Sequence, residues 1–284
     1  MQRKQRNYLP FLLSALLAMG GVPHLARAEG MVPATSVVLI DEADGEAAMK
    51  VTNTDERPAL LHTIIEPINE DKSPLFIVTP PVARVDAGKT QLVRFILTNK
   101  APLTTERLSR VVFDGIGERK DDRDSTVAIR VRQNLPVIIH PKDLPVNKEG
   151  WKLLKWEAGA DRLNVVNDSA YVIRLSPNIA LLPSGKPALI GKSYILPGET
   201  LNVVMPKKDP AAPTEGKPKE EKKFTDAELK AEMDEALKLD PAVTGVRFQP
   251  ATNYGYMVPM YESSIVKATA RSAVTAKGAA AASE

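Results

Sequence analysis

Short runs of apolar and β-branched residues, separated by turn signals, fill the chain from residue 35 to about residue 139. The clearest runs are 37–40, 47–52, 60–65, 92–97 and 111–113. Turn-forming pairs such as Asp44-Gly45 and Ala87-Gly88 lie between them, and no long helical stretch intervenes. Strands that recur at this spacing are typical of an all-β sandwich rather than of an α/β fold.

A second set of strand-like runs begins after residue 149. It comprises 151–156, 162–166, 171–175, 179–182, 193–196, 200–204 and 246–249. Residues 142–148 are mostly polar and contain a proline, so they predict a hinge. The sequence therefore predicts two sandwich domains, residues 29–141 and 149–267, each close to the roughly 100 residues usual for this architecture.

One segment of the second half breaks the β pattern. Residues 206–240 hold 18 charged side chains, and a capping-box start at 225–228 precedes Leu229, Met233 and Leu237 at helical spacing. This predicts a charged loop followed by one short amphipathic helix. Such an insertion either packs its apolar stripe on its own domain or docks a partner. Residues 268–284 are alanine-rich and predict a disordered tail.

The N-terminus has the layout of a secretory signal peptide. Arg3, Lys4 and Arg6 precede an apolar stretch at 9–19, and 26–28 read Ala-Arg-Ala, a small-x-small cleavage pattern. The apolar stretch is shorter than the about 20 residues that a membrane span needs. We therefore expect cleavage after Ala28 and a mature chain that works outside the cytoplasm without a membrane span.

Charge excludes one class of partner. Removal of residues 1–28 takes away four basic side chains and no acidic one, which leaves 34 basic against 35 acidic residues. A chain of that balance has no electrostatic basis for binding nucleic acid.

The sequence offers no constellation for catalysis. It has no cysteine, which excludes disulfides, thiolate metal sites and a cysteine nucleophile. No nucleophile elbow, phosphate loop or dinucleotide fingerprint occurs. The two histidines of the mature chain, His62 and His140, fall in or at the end of strand-like runs and are interpreted as structural. We expect no catalytic residue, no metal and no cofactor, and an activity that consists of binding.

The most informative segment is 127–140. One face carries Val127, Ile129, Val131 and then Leu135, and the alternation runs for about twice the usual strand length. Pro136 cannot donate a ladder hydrogen bond, so the segment lies at a sheet edge or bend. Either its apolar face fills the core of its own sandwich, or its edge stays open so that another chain can pair with it.

Several motifs resemble the periplasmic chaperones of chaperone–usher pilus systems. The most specific is Thr79-Pro80-Pro81-Val82-x-Arg84, followed by Gly88 and Val93-Arg94. Weaker matches are Ile129-x-Val131, Pro141, Trp151, Asn167, Tyr171, Pro197 and Asn253-Tyr254-Gly255. The resemblance covers residues 33–205 and 245–262. It implies two immunoglobulin-like β-sandwich domains and a non-enzymatic, periplasmic protein that binds pilin subunits and delivers them to an outer-membrane usher.

In this family the chaperone lends a strand to the incomplete sandwich of its subunit. The resemblance places that donor strand on Val127, Ile129 and Val131, with Leu135 as a possible continuation. Expected partners are pilin or fimbrial subunits, the usher, and a second copy of the chain when no subunit is bound. The alternative is a secreted immunoglobulin-like structural or adhesive module without a client.

The family also holds the subunit's C-terminal carboxylate with a basic pair between the domains. Those positions correspond to Ser36 and Pro136, neither of which is charged. Arg94 and Arg132 are the candidate substitutes, because a guanidinium matches a carboxylate with two parallel hydrogen bonds. The alternatives are an ion pair within the domain for Arg94 and a solvent-facing edge-strand charge for Arg132.

Overall fold

The computed structural model describes residues 30–99, 101–117, 131–159, 162–204 and 242–267 of the chain. Regular structure in these ranges consists of strands and a single 3₁₀ turn, so the all-β prediction is confirmed. No helix within them has the length and apolar character to cross a membrane. The predicted signal peptide, the insertion at 206–240 and the tail at 268–284 all lie outside the described residues.

The first nine strands form two facing sheets. They are β1 (Met31–Pro33), β2 (Val38–Asp41), β3 (Glu46–Asn53), β4 (Ala59–Glu66), β5 (Phe76–Thr79), β6 (Val82–Val85), β7 (Thr90–Leu97), β8 (Arg107–Gly117) and β9 (Arg132–His140). The strand order is β1-β3-β7-β5 in one sheet and β2-β9-β8-β4-β6 in the other. Phe95 and Phe113 meet edge to face between the sheets, with ring centroids 6.4 Å apart. Each such buried side chain contributes roughly 1.5–3 kcal/mol to folding.

The second half forms one sheet that folds back on itself. Its strands are β10 (Lys155–Ala158), β11 (Leu163–Asn167), β12 (Ile173–Leu182), β13 (Lys186–Ile190), β14 (Tyr194–Ile195), β15 (Glu199–Val204), β16 (Gly245–Ala251) and β17 (Tyr261–Lys267). The order is β13-β15-β11-β10-β17-β16-β12-β14, and β13 also pairs with β12. Trp156 and Phe248 pack in the enclosed core with ring centroids 5.3 Å apart.

The run at 151–156 differs from the strand that the sequence predicts. Its first part is the 3₁₀ turn Gly150–Leu153, and only its end belongs to β10. The reason is the spacing of the buried residues: Trp151 and Leu154 are buried, whereas the two residues between them are exposed. A spacing of three places both side chains on one side of a 3₁₀ turn, which has about three residues per turn.

The two halves meet in a small apolar cluster with a buried carboxylate beside it. The cluster consists of Val37, Ile68, Leu108, Ile138 and Val172. Glu106 accepts a hydrogen bond from the backbone N–H of Val172 at 2.8 Å, and its own N–H donates to the carbonyl of Ala170 at 2.8 Å. Its other carboxylate oxygen lies 2.8 Å from Nδ1 of His140. The end of β9 and the start of β8 are thereby fixed against the start of β12.

Candidate functional site: an open strand edge beside an interdomain cavity

Strand β9 is paired on both sides for only part of its length. On one side β8 runs antiparallel to it along eight of its nine residues, from Arg132 opposite Asp114 to Ile139 opposite Arg107. On the other side β2 runs parallel to it, but only at 137–140. No described strand pairs with residues 132–136 on the side away from β8. We call this stretch the open edge.

The side chains of β9 change role along the strand. Leu135 is 6% exposed and packs in the core of the first domain with Val137 and Ile139. Val131 carries on the same alternating face, just before the strand begins, but is 40% exposed. Leu135 thus contributes to the core of its own domain in this structure, and Val131 is the described apolar residue of this face that is exposed. Val127 and Ile129 lie outside the described residues.

The open edge ends at a cavity of about 330 Å³ between the two domains. The side chains that matter most for its chemistry are Ser36, Arg110, Asn134, Pro136, Arg174 and Tyr194. Ser36 and Pro136, the two positions that the resemblance marks for the anchoring of a carboxylate, therefore line the same cavity. Both domains contribute to it, because Arg174 and Tyr194 belong to β12 and β14.

Arg110 is held in place by one neighbour on β9. Arg110 lies on β8, opposite Pro136 of β9. Its Nε donates to the side-chain oxygen of Asn134 at 2.6 Å, and its Nη2 donates to the backbone carbonyl of Asn134 at 3.1 Å. The amide nitrogen of Asn134 in turn donates to Glu66 at 3.0 Å. This chain of bonds orients the Arg110 guanidinium, and Glu66 itself does not line the cavity.

Arg174 faces the same cavity from the second domain. Its Nη1 is buried and has no hydrogen-bond partner in the part of the chain that the structure describes. Burial, and next the nearby guanidinium of Arg110, lower the pKa of Arg174 below its ordinary value. No acidic side chain of the described ranges lines the cavity. The cavity is thus lined by two guanidinium groups, and Nη1 of Arg174 is a hydrogen-bond donor without a partner among the described residues.

A close contact between the domains shapes one wall of the cavity. The hydroxyl of Ser36 donates to the carbonyl of Tyr254 at 3.3 Å. Gly255 follows with a φ of +84°, and a β-carbon there would lie 2.6 Å from Oγ of Ser36 and 3.4 Å from Nη1 of Arg174. Glycine is required at this position both by the backbone conformation and by the close approach.

Arg94 and Arg132 do not reach the cavity. Arg94 lies on β7, in the other sheet, and forms an ion pair with Glu46. Arg132 lies on β9, half exposed, with Nε 3.6 Å from Asp114 and Nη2 3.9 Å from Glu66. Both arginines interact with carboxylates of their own domain, so the structure does not bring them together as an anchor.

Sequence reasoning missed Arg110 and Arg174. The sequence contains information that could have located Arg110 but none that could have located Arg174. The hairpin register that places Arg110 opposite Pro136 follows from the antiparallel pairing of two adjacent strands. The place of Arg174 depends on how the second domain docks on the first, which no local pattern encodes. Among the described residues, no three histidine or acidic side chains cluster closely enough to hold a metal ion.

Comparison with known proteins agrees with this geometry. Residues 30–145 match the family described as pili and flagellar-assembly chaperone, PapD N-terminal domain. The chain is 48% identical over 171 residues to the uncharacterized fimbrial chaperone YhcA of Escherichia coli K12, covering 60% of this chain and 76% of the relative. It is 28% identical to the chaperone protein LpfB of Salmonella typhimurium, covering 63% of this chain and 78% of the relative.

Solved structures show the same fold at low sequence identity. A chain from the Salmonella enterica SafA pilin in complex with the SafB chaperone matches with a TM-score of 0.61 and 15% identity, covering 84% of this chain and 97% of that one. The Escherichia coli chaperone DraB matches with a TM-score of 0.59 and 18% identity, covering 84% and 99%. The fold is thus that of the two-domain immunoglobulin-like chaperones, and the chain belongs, as a divergent member, to the chaperone–usher family of pilus and fimbrial assembly chaperones.

Proposed function

We propose that this chain is a periplasmic chaperone that binds pilin or fimbrial subunits by lending them a strand and hands them to an outer-membrane usher. The observation that carries the proposal is the open edge of β9, where no described strand pairs with 132–136 on the side away from β8. Backbone N–H and C=O groups at such an edge are ready to pair with another chain. The predicted signal peptide at 1–28 supports the periplasmic location.

In strand addition, the backbone and the side chains of the donor strand would have different roles. The backbone of 132–136 supplies hydrogen bonds, which give affinity with little dependence on sequence. The side chains of Val127, Ile129 and Val131, about 6.6–6.8 Å apart along a strand, fill alternate pockets of the subunit and give specificity. Leu135 is buried in the core of its own domain, so we propose that it holds the strand in place and does not contact the subunit.

The first experiment captures the client. The tagged chain is expressed with the fimbrial genes of its host and purified from the periplasm, and mass spectrometry identifies what is bound. We expect a stoichiometric complex with a small subunit of sandwich type. A chain that returns alone, or only with itself, would contradict the proposal and support a secreted structural or adhesive module.

The second experiment tests the donor face with a matched pair of variants. Val131→Glu places a charge in an apolar pocket of the subunit, and we expect at least about a tenfold loss of complex because a buried unpaired charge costs several kcal/mol. Val146→Glu is the control, because Val146 is 70% exposed and lies in the connection between the domains. Both variants should unfold at the wild-type midpoint. Equal capture by both, or unfolding of the Val131 variant alone, would contradict the assignment.

A further inference from the structure

We infer that the proline-rich start of the insertion, residues 206–218, docks in an extended polyproline II conformation in an apolar groove between the two domains, across Tyr254 and Tyr256. The groove is distinct from the cavity that Arg110 and Arg174 line. The inference goes beyond the proposed function, because it concerns a contact of the chain with itself and does not require a subunit. It assigns a place to residues that the family resemblance does not cover.

The groove is formed by both domains and is lined mostly by apolar side chains. Its volume is about 210 Å³, and Tyr254 and Tyr256 line it from the second domain. A segment that fills the groove would therefore contact both domains at once. The first domain contributes side chains of residues 35–39 and of β3, among them Val37, Leu39, Ala48 and Met49.

The loop that carries the two tyrosines, residues 252–260 between β16 and β17, exposes four large apolar side chains. Tyr254 is 63% exposed, Tyr256 72%, Met257 50% and Met260 63%. Tyrosine and methionine are enriched in protein interfaces, and an exposed apolar patch marks a surface that binds another segment or protein. The loop thus presents an aromatic surface beside the groove that an extended peptide can cover.

The composition of residues 206–218 fits an aromatic groove. The segment contains Pro206, Pro210, Pro213 and Pro218. Proline-rich segments favour the polyproline II conformation and dock in grooves that aromatic side chains line. This conformation has three residues per turn, so Pro210 and Pro213 lie on the same edge, about 9 Å apart. Two prolines on one edge match two tyrosine rings that line one groove.

The register of the second domain shows that the segment can reach the groove. Val204 is the last described residue before the segment, and the pairing of β15 with β13 and of β13 with β12 brings it level with Phe248 of β16. Three strand spacings across the sheet and three residues along β16 place Val204 within roughly 20 Å of Ala251, where the loop begins. Pro210 and Pro213 follow Val204 by six and nine residues, which span up to about 19 and 28 Å in polyproline II.

Attachment to the same chain makes a weak contact sufficient. A short flexible connection gives an effective concentration in the millimolar range. A groove that binds the free segment with a dissociation constant of about 0.1 mM would therefore be filled most of the time. The polyproline II conformation is also preformed in proline-rich sequences, so little conformational entropy is lost on docking.

The experiment traps the contact as a disulfide in the full chain, which has no cysteine of its own. Ala211→Cys is combined with Ala48→Cys, because Ala48 is an exposed residue of β3 that lines the groove. The control combines Ala211→Cys with Ser184→Cys, in the turn between β12 and β13, which lies roughly as far from Val204 in the opposite direction. Under a mild oxidant we expect the groove pair to close at least about tenfold faster, because docking raises the local concentration of the segment there. Equal rates would overturn the inference.

Further substitutions in the groove pair identify the contacts. Tyr256→Ala and the double variant Pro210→Ala/Pro213→Ala should each slow closure severalfold. Ile77→Ala and Pro218→Ala are the matched controls and should leave the rate unchanged, because Ile77 is 52% exposed on β5 of the first domain and Pro218 lies outside the proline pair. Closure that stays fast in both the tyrosine and the proline variants would overturn the assignment. The proline variants change no residue of the described strands, so their slower closure does not reflect misfolding.

Two other occupants of the groove give different results. Disulfide-linked dimers, formed at a rate that rises with protein concentration, would show that the segment comes from a second copy and would overturn docking within one chain. Met233→Cys, on the apolar stripe of the predicted helix, would overturn the proline segment as occupant if it closes with Ala48→Cys faster than Ala211→Cys does. None of these rates depends on a subunit, so they stand or fall separately from the proposed function.

Discussion

Glu106 joins the two domains through both oxygens of a carboxylate that is only 2% exposed. One oxygen accepts from the backbone N–H of Val172 in the second domain, and the other contacts His140 at the end of β9. The other ring nitrogen of His140 lies 2.9 Å from the carbonyl of Leu144, which can only accept. Both ring nitrogens of His140 thus lie within hydrogen-bond distance of an oxygen atom. Substitution of Glu106 therefore tests how strongly the two domains are coupled.

Replacement of Glu106 by alanine removes the acceptor for Val172 and the partner of His140 together. The buried N–H of Val172 that is left unpaired costs about 1–3 kcal/mol, and the loss of the hydrogen-bond partner of His140 costs about as much again. We therefore expect Glu106→Ala to lower the free energy of unfolding by about 3–5 kcal/mol. Glu106→Gln keeps an oxygen for Val172, and its amide can donate to a neutral His140, so we expect a cost of only about 1 kcal/mol.

The chain supplies its own probe for this test. Its two tryptophans, Trp151 and Trp156, both lie in the core of the second domain, so tryptophan fluorescence reports on that domain alone. Far-ultraviolet circular dichroism reports on the strands of both domains. In urea, the two signals should change together in the wild type and separate in Glu106→Ala, because the domains then unfold independently.

Two results would refute the reasoning about Glu106. One is an alanine variant that unfolds with the wild-type midpoint and with coincident signals. The other is a glutamine variant as unstable as alanine, which would mean that the acceptor for Val172 is not what matters. Glu149→Ala is the control, because Glu149 forms an exposed ion pair with Lys152 at 2.8 Å and should leave the midpoint unchanged.

Two further predictions concern a glycine and an acid. Gly255→Ala should destabilise the chain by more than about 1 kcal/mol, the usual cost of a left-handed residue, because the new β-carbon also clashes with the hydroxyl of Ser36. Gly198→Ala is the control, because Gly198 has a φ of +74° and open space around it and so carries the conformational cost alone. Equal urea midpoints of the two variants would contradict the clash. Burial alone would raise the pKa of Asp71, but hydrogen bonds from Ser73 and the contact with Arg107 outweigh it and lower that pKa. The stability that Asp71 contributes is therefore present above its unfolded pKa and lost as the pH falls through the lower folded value, so urea midpoints of wild type and Asp71→Asn should converge in acid and not at neutral pH.

Much of the fold follows from the period-2 pattern, because strands such as β3, β7 and β11 alternate more and less buried side chains as the sequence predicts. The middle of β8 and the second half of β9 are instead buried on both faces. The run at 151–156 shows the limit of this reasoning, since apolar residues at 151 and 154 suit a 3₁₀ turn as well as a strand. Leu135 shows another limit. Its face of β9 is apolar from Val131 to Ile139 except at Gln133, so the pattern alone does not say where the domain's own core ends and an accessible surface begins.

The site divides in the same way between local and tertiary information. The positions of Ser36 and Pro136 could be inferred from motifs in order along the chain, and the structure places both at the interdomain cavity. The charge of that cavity could not be inferred. Arg174 reaches it from β12, in the second domain, through a contact that depends on the docking of the two domains. The sequence does not show that Arg94 pairs with Glu46 or that Arg132 lies near Asp114 and Glu66. Both arginines were therefore candidates for a carboxylate anchor until their positions in three dimensions were known.

The open edge by itself does not fix how a strand of a subunit would be aligned on it. In the proposed function, backbone pairing along 132–136 gives affinity, but a strand with alternating side chains can slip along such an edge, and a slip of one residue turns every side chain to the opposite face. Side chains of the donor strand that fill pockets of the subunit would set the register, and Val131 is the described apolar residue of that face that is exposed. On this reasoning, Val131→Ala should increase the variety of bound registers as well as weaken binding, which cross-linking from position 133 to the subunit would detect as several adducts in place of one.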